Sequence, residues 1–141
     1  MADLSTLSAL RKQVGDLNRS RTTAINHVLS TKTFIAAQVY ERFKTCGSPN
    51  CKCARGEPHG PFLWIYQKKK NQKVISTTVT KGKGAEAKEL AERYAKLLKL
   101  RQQIREADQK INEILNEFES HMEKEVTEYV QRKEKANKRQ S

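Results

Sequence analysis

In the second half of the chain, ten residues follow one another at alternating spacings of four and three, which would place them on one side of a helix. They are Leu90, Tyr94, Leu97, Arg101, Ile104, Asp108, Ile111, Leu115, Phe118 and Met122. Such spacing is typical of the a and d seam of a coiled coil. The pattern predicts a long helix over residues 85–131, followed by a frayed basic tail over 132–141.

The N-terminal part of the chain has helical periodicity as well. Apolar residues recur at steps of three and four from Leu4 to Phe43, which predicts a first helix over residues 3–44. The apolar stripe of this first helix can pair with the heptad seam of the second helix if the two helices run antiparallel. In the expected register, the numbers of two facing residues add up to about 129, so that Arg21 faces Asp108. We expect these two side chains within salt-bridge reach. If the pair is buried, loss of one partner costs ~3–5 kcal/mol.

The composition favours this elongated architecture over a round globule. Only 36% of the residues are hydrophobic and 31% are charged, a balance that suits long helices or coiled coils. A helical hairpin has one seam to bury, and a second copy of the chain is one way to cover it. The expected fold is therefore mainly α: a single domain over 1–141, with an antiparallel two-helix coiled-coil hairpin and possible homodimerisation.

The segment between the helices carries most of the net charge of +12. Residues 42–83 contain ten Lys or Arg and one Glu, a net charge of +9, whereas the flanking segments are nearly balanced. Charge focused in this way favours a polyanion as partner, through steering and counterion release. The alternative is that lysines along a hairpin edge keep the protein soluble and prevent edge pairing.

Within this segment, residues 45–61 form a loop rich in potential metal ligands. Cys46, Cys51, Cys53 and His59 have the spacing C-x4-C-x-C-x5-H. Three thiolates and one imidazole are an acceptable tetrahedral zinc set, and four protein ligands make a structural site. The spacing differs from the common paired C-x-x-C knuckles, so free or buried thiols with a loop-capping His remain an alternative. A catalytic cysteine is a further alternative, which requires a perturbed thiol in a cleft.

Residues 62–81 have the pattern of a two-stranded β-hairpin that caps the helices together with the Cys/His loop. Phe62–Tyr66 and Val74–Thr80 are rich in β-branched and aromatic residues, and the polar run QKKKNQ joins them. Alternation sets Trp64 between Phe62 and Tyr66 on one face. These rings are candidates for base stacking, with lysines on phosphates, although a place in a small core is the more typical role for Trp64 and the lysines are the stronger candidates for contacts.

The N-terminus, MADLSTLSALRKQ, lacks the apolar run of a signal peptide, and no apolar stretch has the length to span a membrane. Three cysteines within eight residues are an odd, clustered set, which argues against a secreted disulfide framework. We therefore expect a cytoplasmic protein.

The head, residues 45–83, resembles a known protein family. Its segment CGSPNCKCARGEPHGPF, at 46–62, is similar to a small prokaryotic domain-of-unknown-function family with the motif C-G-x-P-N-C-x-C-x-x-G-x-x-H-G-P. That family tends to have a glycine in the hairpin turn, where this chain has Lys70-Asn71-Gln72. The resemblance implies a mobile-element or phage setting, and it assigns no catalytic residue.

These observations predict a non-enzymatic nucleic-acid-binding accessory protein of a mobile element or phage, with DNA favoured. The expected contact residues are Lys52, Arg55, Trp64, Lys68, Lys69, Lys70, Lys73, Lys81 and Lys83. The rival hypothesis is a coiled-coil adaptor that binds a recombinase or another protein through its helices, and the long heptad seam motivates it.

Overall fold

A computed structural model describes residues 3–140 of the chain. Helix α1 spans Leu4–Leu29, strand β1 spans Gln38–Lys44, and a short 3₁₀-helix covers Lys52–Arg55. Strands β2 (His59–Lys68) and β3 (Val74–Thr78) follow, and then helices α2 (Gly84–Met122) and α3 (Val126–Gln140). The described residues are mainly helical and include one three-stranded antiparallel sheet.

The first helix ends at Leu29, so the predicted helix over residues 3–44 is wrong beyond that point. The Ser and Thr residues after it compete for the backbone: the hydroxyls of Ser30 and Thr31 donate to the His27 carbonyl at 3.0 and 3.2 Å. Such local bonds favour helix ends over helix interiors. The residues expected to form its last turns form β1 instead.

The chain divides into two compact units, one containing the described residues of Met1–Ile25 and Gln103–Ser141 and the other Asn26–Gln102. In the first unit, Leu7, Leu10, Ala24 and Ala107 are buried. The Arg21 Nε donates to Asp108 Oδ1 at 2.5 Å, which confirms the predicted salt bridge. Val14 and Leu115, partners in the same register, line one apolar groove.

We expect replacement of Asp108 by alanine to lower the free energy of unfolding by about 1 kcal/mol or less. Its side chain is 48% exposed and that of Arg21 is 37% exposed, so water screens the pair and the larger cost of a buried bridge does not apply. A double-mutant cycle in urea measures the coupling. The Asp16–Arg19 pair within α1 is a matched control with an expected coupling of about 0.3 kcal/mol. A cost for D108A above about 3 kcal/mol would contradict this estimate.

The predicted second helix, 85–131, is interrupted. Helix α2 ends at Met122, the last residue of the heptad seam, and a new helix begins at Val126. The basic tail, predicted to be frayed, is helical through Gln140. Good helix formers and the Lys133 ammonium 4.9 Å from the Tyr129 ring, one turn earlier, account for this. The two-helix coiled-coil hairpin is therefore not confirmed, and the single domain over 1–141 stays a prediction.

In the second unit, the sheet has the order β1-β2-β3 with antiparallel pairs, so the prediction of a two-stranded hairpin missed one strand. The register pairs Tyr40 with Trp64 and Trp64 with Thr78. A two-stranded hairpin is marginal by itself, and β1 supplies the third strand that stabilises β2.

One face of the sheet lies against the beginning of α2. A Cβ added at Gly84 would lie 2.6 Å from the Leu63 Cδ1, so the helix approaches this face closely. The Glu41 carboxylate, on the same face, lies 3.6 Å from the Lys88 ammonium. One face of the hairpin therefore packs on a helix end, and Trp64 lies on the opposite face. Among the described residues, no helix combines the length and apolarity that crossing a membrane requires.

Candidate metal centre and aromatic–basic sheet face

The four predicted metal ligands lie together between β1 and β2. The thiol sulfurs of Cys46, Cys51 and Cys53 and a ring nitrogen of His59 are all within 4.8 Å of one another. The Cys51 Sγ is 3.0 Å from the His59 Nε2, and the Cys46 Sγ is 3.4 Å from the Cys53 Sγ. The four residues are thus close enough to hold a metal ion.

The backbone of the loop wraps around this cluster in tight turns. Cys51 caps the 3₁₀-helix that contains Cys53, and Gly56 ends that helix with a left-handed φ of 100°. Gly47 has a φ of 77°, in the same left-handed region. Glycine adopts these angles without steric cost, so the chain can bring ligands only a few residues apart to one point. His59 enters the cluster as the first residue of β2.

The donor set fits zinc. Typical Zn–S and Zn–N bonds define a tetrahedron with edges of about 3.5–3.8 Å. The separations of 3.0 and 3.4 Å are somewhat shorter than these edges, and all four donor atoms lie within 4.8 Å of one another. The Cys46 amide N–H also donates to the Cys53 Sγ at 3.3 Å, an outer-shell bond typical of thiolate ligands. Cys53 is buried whereas Cys46 is exposed, so the cluster lies at the surface of the unit.

The hydrogen bonds of the cluster change the acidity of two thiols. A bond from the Ser48 N–H, followed by bonds with His59, Cys53 and Cys51, lowers the pKa of Cys46 to about 6. For Cys53, the Cys46 N–H lowers the pKa, but burial and the neighbouring Cys46 and Cys51 raise it, and the net change is upward. Near neutral pH Cys46 is therefore largely thiolate, the form that binds metal ions.

A second feature is the sheet face that points away from α2, here called the aromatic–basic face. Its members share one side of the antiparallel ladder: Gln38, Tyr40, Arg42 and Lys44 on β1, Phe62, Trp64, Tyr66 and Lys68 on β2, and Val74, Ser76 and Thr78 on β3. It holds four aromatic rings and three cations, and no acidic residue. Side chains alternate between the two faces along a strand, so Glu41 lies on the opposite face from Arg42 and Lys44. The acidic side chain is thus separated from the cations of the aromatic–basic face.

Trp64 lies at the centre of this face. The Lys44 ammonium is 4.4 Å from the ring centre and the Arg42 guanidinium is 5.4 Å from it. The Arg42 guanidinium also lies 5.0 Å from the Tyr40 ring. Trp64 is half-buried, and its indole Nε1 is buried with no hydrogen-bond partner among the described residues. Two cations therefore lie against the Trp64 ring, in addition to whatever packing buries its indole nitrogen.

The other predicted contact residues are all exposed and come from three places. Lys52 and Arg55 lie on the 3₁₀-helix beside the metal ligands. Lys68 ends β2, and Lys69, Lys70 and Lys73 form the turn into β3. Lys81 and Lys83 lie in the connection to α2, and Lys81 shares an open groove with Lys44 and Phe62. Gln72, in the hairpin turn, has a left-handed φ of 63°.

Sequence analysis missed three members of the aromatic–basic face: Tyr40, Arg42 and Lys44. They were assigned to a helix because Ile35, Val39 and Phe43 recur at steps of four. The two-residue alternation of Tyr40, Arg42 and Lys44 was the signal that favours a strand. Both patterns exist in this segment, and pairing with β2 decides between them.

Residues 17–89 match the family described as Domain of unknown function (DUF6788). The chain belongs to this family. The matched segment is just over half of the chain, and it contains the whole sheet, the four candidate ligands and the beginning of α2. No curated protein and no solved structure matches the chain. Family membership confirms the expected class of uncharacterised domain and brings no activity with it.

Proposed function

We propose that this protein is a non-enzymatic nucleic-acid-binding accessory protein, with DNA as the favoured partner. The observation that carries the proposal is the separation of charge in the sheet. Cations cluster on the aromatic–basic face and in the lysine-rich turn, while Glu41 lies on the opposite face beside Lys88. A surface with this charge, with one exposed ring and three half-buried ones, suits a polymer of phosphates and bases.

In this proposal a zinc ion at Cys46, Cys51, Cys53 and His59 is a structural staple for the head. The support is the Cys3His donor set and its separations. When bound, zinc would tie the end of β1 to the beginning of β2 and so fix the register of the aromatic–basic face. Three reduced thiols suit a cytoplasmic location. The mobile-element or phage setting belongs to the same proposal, and its support is the motif resemblance.

The proposal predicts binding that weakens steeply with salt. A variant with Lys68, Lys69, Lys70 and Lys73 all changed to Gln should lower the slope of log K against log salt by about 3, because each lost phosphate contact removes about 0.7–0.9. The measurement is a salt titration of binding to a fluorescent DNA of random sequence.

The matched control removes the same charge from exposed positions outside the head: Lys96, Lys99, Lys110 and Lys124. The control should keep most of the wild-type slope. An equal loss in both variants would show that only net charge matters. If the wild-type protein fails to bind DNA even at low salt, the proposed function is wrong.

A second candidate function is the coiled-coil adaptor, and one observation favours it. In the unit formed by the chain ends, an apolar groove is lined by Leu10, Val14, Ile114, Leu115 and Phe118, and Leu115 is 43% exposed. A groove of this kind can bind an apolar segment of a recombinase, another protein or a second copy of the chain. Salt-insensitive binding of one protein, abolished by Leu115→Glu, would favour the adaptor.

A further inference from the structure

The aromatic–basic face combines cations, which can bind the phosphates of any nucleic acid, with flat rings, which can stack only on unpaired bases. The rings of Phe62, Trp64 and Tyr66 lie at alternate positions of β2, about 6.6 Å apart along the strand. Phe62 is 42% exposed, and Trp64 and Tyr66 are half-buried. Flat rings bind the faces of unpaired bases, whereas the base faces in a duplex are covered by stacking.

The cations lie where phosphates of a stacked strand would pass. Arg42 and Lys44 flank the ring of Trp64, and Lys68 continues the same side of β2 beyond Tyr66. Because these side chains are long and flexible, they can move from the ring to a phosphate when a base takes their place. The complete absence of acidic side chains from this face gives the charge complementarity that a polyanion requires.

Two of the four hydroxyl groups on this face are engaged with each other, which reduces the number of groups that could recognise RNA. The Tyr40 hydroxyl lies 3.4 Å from the Ser76 Oγ, so these two polar groups bond each other. The Trp64 Nε1 is buried. The centre of the face therefore offers ring surfaces and cations, whereas two of its hydroxyl groups are already engaged and less available to a ribose 2′-hydroxyl, the group that distinguishes RNA.

We infer that the aromatic–basic face binds single-stranded DNA, with bases stacked on Phe62, Trp64 and Tyr66 and phosphates held by Arg42, Lys44 and Lys68. This inference rests on the proposed function and narrows it to one form of nucleic acid. It also separates two roles: stacking supplies discrimination between single and double strands, and the lysines supply affinity for either.

Trp64 is the only tryptophan of the chain, so its fluorescence reports directly on this face. The probe is an oligo(dT) strand, titrated at low salt into the full-length protein with its metal. Stacking of a base on the indole should quench the emission. The comparison ligands are a mixed-sequence duplex of the same length and an oligo(U) strand, and both should bind more weakly.

The decisive variant is F62V/Y66V, which removes the two flanking rings and keeps good strand formers at both positions. Its affinity for oligo(dT) should fall about 5- to 100-fold, with little change in the salt slope. Tyr129→Val, at an exposed tyrosine of α3, is the matched control and should bind as the wild type does. The unfolding midpoint of each variant establishes that the sheet remains folded.

The outcomes separate this inference from the proposed function. If F62V/Y66V is folded and binds oligo(dT) as tightly as the wild type, or if the duplex binds as tightly as the single strand, the stacking inference is overturned while nucleic-acid binding stands. Tighter binding of oligo(U) overturns the assignment to DNA. Failure of every ligand to bind at low salt overturns both.

Discussion

Replacing His59 by asparagine is expected to release one zinc ion per chain and to unfold the head. The variant removes one of four candidate ligands whose donor atoms lie within 4.8 Å of one another. A small unit with no fully buried large side chain depends strongly on such a staple, so the loss should exceed about 4 kcal/mol of unfolding free energy. Chelation of the wild-type protein should have the same effect.

The measurement is metal content by mass spectrometry on protein purified without a histidine tag, beside urea unfolding followed by Trp64 fluorescence. His27→Asn is the matched control, because His27 is exposed and is not part of the ligand group. It should retain the zinc and the wild-type midpoint. If the wild-type protein contains no zinc, or if the H59N protein still contains one zinc ion per chain, the hypothesis that zinc at these four residues stabilises the head is wrong.

Gly60→Ala is expected to lower the free energy of unfolding by about 3 kcal/mol, the largest loss for adding a single methyl group in the sheet. The residue has a φ of 134°, and an added Cβ would lie 2.9 Å from the Arg42 carbonyl oxygen and 3.2 Å from the Phe62 nitrogen. Both neighbours are backbone atoms beside the irregularity in β1–β2 pairing, so they cannot move without disturbing the ladder. Since His59 adjoins Gly60, zinc affinity should fall as well.

Gly82→Ala controls for the backbone angle alone. Gly82 has a φ of 96°, but an added Cβ would meet nothing within 4 Å. We expect a cost of about 1 kcal/mol there, from the left-handed conformation only. Urea unfolding of the two variants gives the comparison. Equal midpoints would mean that the close approach at Gly60 relaxes freely, contrary to the geometry.

Local chemistry was enough to predict the ligand cluster. Cysteine and histidine types, together with the glycines that let the loop turn, were visible in the sequence, and the short spacing left few ways to keep the four residues apart. The Arg21–Asp108 bridge was predictable for a related reason, because the antiparallel register sets a cation of one seam opposite a carboxylate of the other. Its exposure was not predictable, since burial depends on everything packed around the pair.

The first helix shows where sequence patterns reach their limit. Residues 35–43 fit a helical step through Ile35, Val39 and Phe43 and a strand alternation through Tyr40, Arg42 and Lys44. A local pattern that satisfies two periods cannot choose between them. The choice depends on the hydrogen bonds and the side-chain contacts that β2 offers to β1, and those come from residues about 20 positions away.

The sequence by itself therefore determined the ligand types, the concentration of positive charge between the helices, and the long heptad seam. These are properties of composition and short spacing, which need no partner segment. Only the tertiary structure decided that the sheet has three strands, that Glu41 and Arg42 lie on opposite faces, and that Lys44 and Arg42 cover Trp64. Strand register decides these features, because a shift of one residue would exchange every side chain between the two faces.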